Sequence, residues 1–104
     1  HKALNYCDAP GSPCWTNKVH WVNYQNSDPI LGYTAKQCCQ LCVNDPKCKE
    51  WSFREGICFN IADRNLGLKV CDQITESAIV SSDSGIIRCD DGCLPESNKS
   101  QDYD

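Results

Sequence analysis

CCQLCVNDPKCKEWSFREGICF, residues 38–59, holds five of the chain's ten cysteines and the pattern of a helix followed by two strands. Cys38 and Cys42 are four apart, so they share one face of a helix. Thr34 precedes that helix as its N-cap, with Gln37 three residues on as the capping-box partner. Asn44-Asp45-Pro46 stops it after Val43. Trp51-Ser52-Phe53 then alternates apolar and polar as a half-buried strand does. Glu55-Gly56 reads as a tight turn and Ile57 to Ile61 as a second strand, so 50–61 is predicted to be a hairpin. Cys48 lies just past the helix, within reach of Cys42, and Cys58 lies mid-strand, where it could meet Cys38. Cys39 is turned about a hundred degrees away on the helix and must bond elsewhere.

The N-terminal flank holds Cys7, Pro10, Gly11, Pro13 and Cys14, a looped lead-in pinned by two bridges. Val19 to Tyr24 is β-branched and aromatic and is predicted as a strand. Gln25 to Gly32, with Asn26, Ser27, Asp28, Pro29 and Gly32, reads as a loop. On the C-terminal side, 62–76 lacks periodicity and reads as an irregular crossover anchored at Cys71. Ala78-Ile79-Val80 is a short strand, Ser81 to Gly85 a turn, and Ile86 to Cys89 a closing strand. Residues 94–104 form a disordered acidic tail after a single domain spanning 1–93.

The ten cysteines among 104 residues set the class. Cys at this density marks a disulfide scaffold from an oxidising compartment. The even count permits five bridges, and spacing alone leaves the pairing open. There is no Met, even at position 1, and no apolar run of leader or membrane-span length. These features read as a mature, secreted, extracellular chain whose leader has been removed. The net charge of −4 sits wholly in the last fifteen residues, where Asp90, Asp91, Glu96, Asp102 and Asp104 face Lys99 alone. With no basic stripe, nucleic acid is not an expected partner, nor is membrane insertion.

The 38–59 stretch resembles the PAN/apple domain family. That family has a helix with two Cys four apart, a third Cys after a short Pro-containing loop, an aromatic strand, and a Cys on the second strand of the hairpin. Ser82 to Ile87 is similar to the closing strand of such domains, and the resemblance runs over residues 7–89. It implies an α+β fold, a small disulfide-rich domain with one α-helix packed on a curved, mostly antiparallel β-sheet. It also implies the bridges Cys42–Cys48 and Cys38–Cys58, and a third tying the terminal strands, here Cys7 to Cys89 or Cys93. The chain departs from the family by adding Cys39, Cys71 and an extra terminal Cys. Family members bind extracellular proteins or carbohydrates and are not themselves enzymes.

Other chemistries find less support in the residues. Cys39-x2-Cys42 and Cys89-x3-Cys93 resemble two halves of a zinc site, but a disulfide offers no thiolate to a metal. An N-terminal His1 can chelate copper through amine and imidazole, yet His20 is the one other His, and little else marks such a site. No Gly-x-Ser-x-Gly elbow occurs, and with every Cys bridged no thiol nucleophile remains. Glu50 and Glu55 flank one strand, on its predicted solvated face. No cofactor is implied. Aromatics are the better lead: Trp51 and Phe53 share one strand face and are predicted core, as is Trp21 against the helix. Trp15, Tyr24 and Tyr33 lie in or beside loops and are the candidate ligand-binding residues, since rigid aromatics suit sugar stacking or a protein hot spot. The helix face carrying Cys38, Leu41 and Cys42 is predicted to be occupied, and the outer face, with Lys36, Gln37, Gln40 and Asn44, to be polar. Asn98-Lys99-Ser100 is a glycosylation sequon. The expected function is a secreted, non-enzymatic module recognising an extracellular protein or carbohydrate. The alternative is a stand-alone secreted signal such as a pathogen effector, toxin or pheromone.

Overall fold

A computed structural model describes residues 6–16, 19–21, 27–64, 69–77 and 83–94. The elements, in order, are β1 (Val19–Trp21), β2 (Ser27–Leu31), α1 (Ala35–Asn44), β3 (Cys48–Arg54), β4 (Ile57–Ala62), α2 (Val70–Gln73), β5 (Thr75–Ser77) and β6 (Asp83–Ile86). Strands β2-β4-β3-β6 form one antiparallel sheet, and β1 pairs with β5 in a second, two-stranded one. The architecture is the α+β, disulfide-rich one predicted: one long helix on a mostly antiparallel sheet.

Local chemistry explains the helix and the hairpin. The Thr34 hydroxyl accepts from the Gln37 amide, and the Gln37 side chain accepts from the Thr34 amide, closing the capping box. At the other end the Asp45 amide donates to the Cys42 carbonyl at 3.2 Å, and the Asp45 carboxylate accepts from the Lys47 amide at 3.0 Å. Asp45-Pro46 therefore does end the helix. Glu55 (φ 51°) and Gly56 (φ 80°) are both left-handed, the signature of a two-residue hairpin turn whose twist matches its strands.

Cross-strand partners point to the same side of a sheet, so the register sorts the residues. Trp51 opposite Asn60, and Phe53 and Ile30 opposite Cys58, face α1. Ser52 opposite Phe59, and Glu50 opposite Ile61, face the reverse side. The α1 side holds the main core: Cys7, Cys14, Trp15, Cys38, Cys39, Cys42, Val43, Trp51, Cys58 and Ile87 are all buried there. On the reverse side Ile61 and Val70 are fully buried together, with Phe59 and Ile74 half-buried against them.

All ten cysteines are bridged: Cys7–Cys39, Cys14–Cys93, Cys38–Cys58, Cys42–Cys48 and Cys71–Cys89. The two pairings implied by the family resemblance at Cys42–Cys48 and Cys38–Cys58 are present. The third is not: Cys7 joins Cys39 rather than Cys89 or Cys93. Cys39 is buried on the flank of α1 turned toward the lead-in, so the lead-in docks on the helix, and Cys14 makes the long-range closure to Cys93.

Several other expectations are corrected. The loop predicted over 25–32 contains β2. Ser27, Asp28 and Pro29 carry turn chemistry, but β2 is an edge strand, where a Pro is tolerated. The closing strand runs from Asp83 to Ile86, not Ile86 to Cys89, so Asp83 to Gly85 is strand rather than turn. The crossover contains α2 and β5. Glu50 is 0% exposed, not solvated, because the sheet is covered on both faces. Phe53 is half-buried, and Leu41 is half-buried where Val43 and Cys39 are fully so. Leu94, assigned to the tail, is 2% exposed and packs into the main core. The predicted strands at 22–24 and 78–80, the Trp21 side chain and the tail from 95 lie outside the described residues.

Gly85 and Arg88 bind the closing segment to the rest. A Cβ on Gly85 would run into the Cys14 carbonyl and sit 2.6 Å from Trp51 Nε1, which itself donates to that carbonyl at 2.8 Å. Arg88 is buried, and its guanidinium donates to the carbonyls of Cys42 (2.7 Å), Val43 (2.6 Å) and Cys48 (3.0 Å). Helix α1 has no basic residue in its own last turn. Arg88 supplies the missing cation and satisfies carbonyls that a helix end leaves unbonded.

Candidate ligand-binding surface

The three aromatics singled out from sequence do not come together. Trp15 is 7% exposed and meets Trp51 edge-on, with ring centroids 5.9 Å apart and planes at 79°. Its expected role as a surface residue is overturned. The lead-in folds inward because Cys7, Cys14 and the Thr16–Ser84 bridge all pin it to the core. Tyr24 lies outside the described residues. Tyr33 is 39% exposed, as the reading of its loop predicts.

Tyr33 has a neighbour that the sequence reading passed over. Leu31 is 72% exposed, and these two are the exposed large hydrophobics among the described residues. They flank Gly32, whose φ of +86° turns the chain from β2 into α1. A non-glycine residue is strained in that conformation, so the turn is fixed by backbone chemistry. Two shallow clefts open beside this turn and meet at Leu41. One, of about 380 Å³, is lined by Gly32, Tyr33, Gln37, Gln40, Leu41 and Asn44. The other, of about 430 Å³, has half-buried Ile30, Leu41, Asn60 and Ala62, with exposed Asp45, Lys47, Asp63 and Arg64 around them. Asn60 is oriented by its amide, which donates to the Cys38 carbonyl at 3.3 Å. The outer face of α1, predicted to be polar, thus forms one wall of an amide-lined groove with an aromatic at its end.

Such a surface can bind. Amide side chains both donate and accept hydrogen bonds, and a Tyr ring on a rigid turn loses little entropy when covered. The same chemistry serves a sugar's hydroxyls and ring faces or a peptide's backbone and side chains.

The remaining candidates separate. Cys39, Cys42, Cys89 and Cys93, the two half-sites for zinc, each bond to a different partner and offer no thiolate. Among the described residues no group of three or more His, Cys, Asp or Glu could hold a metal ion. His1, the His20 side chain and Asn98 lie outside the described residues. Among the described residues no helix is long and apolar enough to cross a membrane. Comparison with protein-family models, curated proteins and solved structures finds no match for this chain.

Proposed function

We propose that this chain is a secreted, non-enzymatic binding module of PAN/apple type that recognises an extracellular protein or carbohydrate. The observation that carries the reading is the exposed Leu31–Tyr33 pair on a fixed turn, continuous with the amide-lined groove along α1. Exposed apolar side chains rimmed by polar groups mark interaction surfaces. The PAN/apple assignment is supported by α1 packed on the hairpin and by the bridges Cys38–Cys58 and Cys42–Cys48. Secretion is supported by five disulfides in so short a chain. A non-enzymatic role is supported by the bridging of every thiol and by the openness of both clefts, which exclude little water from a bound ligand. A stand-alone signal would meet its receptor through the same patch, so one experiment serves both readings. The chain is screened on a glycan array and against extracellular proteins of its source, and each ligand found is titrated by calorimetry. Tyr33→Ala is expected to weaken binding at least about tenfold, the range of an aromatic hot spot. Unchanged affinity in Tyr33→Ala and in Leu31→Ser would place the site elsewhere.

A further inference from the structure

The five bridges differ in how solvent reaches them. Both sulfurs of Cys7–Cys39, Cys38–Cys58 and Cys42–Cys48 belong to residues no more than 1% exposed. Cys14–Cys93 joins a fully buried residue to a half-buried one. Cys71 alone among the ten is exposed, and its partner Cys89 is 6% exposed. Thiol–disulfide exchange needs a thiolate to reach one sulfur, so access ranks the bridges directly.

The place of this bridge in the fold gives its opening a consequence. Cys71 sits in α2, whose Val70 covers Ile61 on the reverse face of the sheet. The four-residue helix has no side-chain cap. Besides the bridge, the burial of Val70 and the Val70 amide, which donates to the Asp63 carboxylate at 2.8 Å, hold it, and β5, which begins two residues on, pairs with β1. Cys89, by contrast, follows Arg88, whose guanidinium ties the closing segment to the end of α1. Cutting Cys71–Cys89 therefore loosens α2 and leaves the closing segment in place.

We propose that Cys71–Cys89 is a thiol-exchange site, opened selectively by a small dithiol, and that its opening uncovers the apolar reverse face of the sheet. The dithiol's thiolate attacks Cys71 Sγ. A new S–S bond forms, the Cys71–Cys89 bond breaks, and Cys89 leaves as a thiolate that takes a proton from water. The second thiol of the reductant then attacks its own mixed disulfide and releases Cys71. The reductant is oxidised to a cyclic disulfide by two electrons, and the bridge is reduced to two thiols. Phe59, Ile61, Val70 and Ile74 form the surface this exposes, while the four bridges of the α1 side keep the main core closed.

The test is stepwise reduction of the native chain with dithiothreitol, trapping with iodoacetamide and peptide mapping. Cys71 and Cys89 are expected to be alkylated at least about tenfold faster than any other pair, reflecting access to the attacked sulfur. A species with four intact bridges should accumulate. It should keep the near-UV circular dichroism of the Trp15–Trp51 pair and gain binding of an apolar dye. Opening of Cys14–Cys93 or any buried bridge first, or loss of all five together, overturns the proposal. The double variant Cys71→Ser with Cys89→Ser gives an independent reading. It should fold and bind the dye without reductant, and failure of this variant to fold would show the bridge to be a structural necessity rather than a switch.

Discussion

The two faces of the sheet are built on different terms. On the α1 side, a ten-residue helix with caps at both ends is bonded to its surroundings through Cys38, Cys39 and Cys42, and a buried Arg88 closes its C-terminal end. On the reverse side, a four-residue helix rests on Ile61 through Val70 and is held by one bridge with an exposed end. The contrast teaches where a small domain concentrates its order. In a small domain with a modest core, cross-links supplement apolar burial. Here they cluster on one face. The proposed binding groove lies on that firm side, where rigidity lowers the entropic cost of binding. The proposed exchange site lies on the other, as expected if mobile functions draw on the less stable parts of a fold.

The largest effect that would break this comparison is at Gly85. Gly85→Ala drives a methyl against the Cys14 backbone beside the Trp51 indole, where rigid groups on both sides prevent relief. A loss of more than ~4 kcal/mol is expected, enough to leave no cooperative thermal transition. A folded variant with unchanged Tm would show that the lead-in does not sit on β6.

The bridges permit a sharper comparison. Cys38–Cys58 spans 20 residues and Cys71–Cys89 spans 18, so loop closure alone assigns them nearly equal worth. Burial separates them. Replacing Cys38 and Cys58 by Ala also opens a void in the main core, and the cost is expected near the upper end of ~2–5 kcal/mol. Replacing Cys71 and Cys89 by Ser is expected near the lower end. Equal costs by denaturant unfolding would mean that the two faces are equally firm.

Arg88→Leu comes next. It keeps bulk but removes the donors to the Cys42 and Val43 carbonyls at the end of α1 and to the Cys48 carbonyl at the start of β3, at an expected cost of ~3 kcal/mol. Hydrogen exchange should quicken at the helix terminus before it changes in α2. Thr34→Ala is the smallest change. Loss of the capping box should cost ~1 kcal/mol, read as a lower Tm without altered bridge pairing.

What was legible in the sequence follows the same division. The capping box at Thr34 and Gln37, the stop at Asp45-Pro46 and the Glu55-Gly56 turn are local, and each depends on residues within four positions of one another. They hold in the structure as read. What was missed depends on contacts across the chain. Strand β2 has turn-like residues and exists only because β4 lies beside it. Glu50 alternates as a solvated residue should, but α2, some twenty positions later and not visible as an element in the sequence, packs on its side of the sheet. Arg88 looks like any surface Arg, but its acceptors lie forty or more positions earlier. Trp15 followed the rule that aromatics beside Pro and Gly in a loop face outward, and the bridges from Cys7 and Cys14 reversed it. Of the candidate site, Tyr33 was legible from its loop. Leu31 was not, because a Leu between Ile30 and Gly32 gives no sign of being turned to solvent.

The proposed binding site lies on the α1 side, at the turn between β2 and α1. The most direct measurement is an amide chemical-shift titration of the isotopically labelled chain with a ligand from the array or protein screen. The perturbed amides are expected to cluster at residues 31–33, 37–44 and 60–64, with α2 and β5 unmoved. Perturbations centred on 70–77, with the Leu31–Tyr33 turn silent, would contradict it.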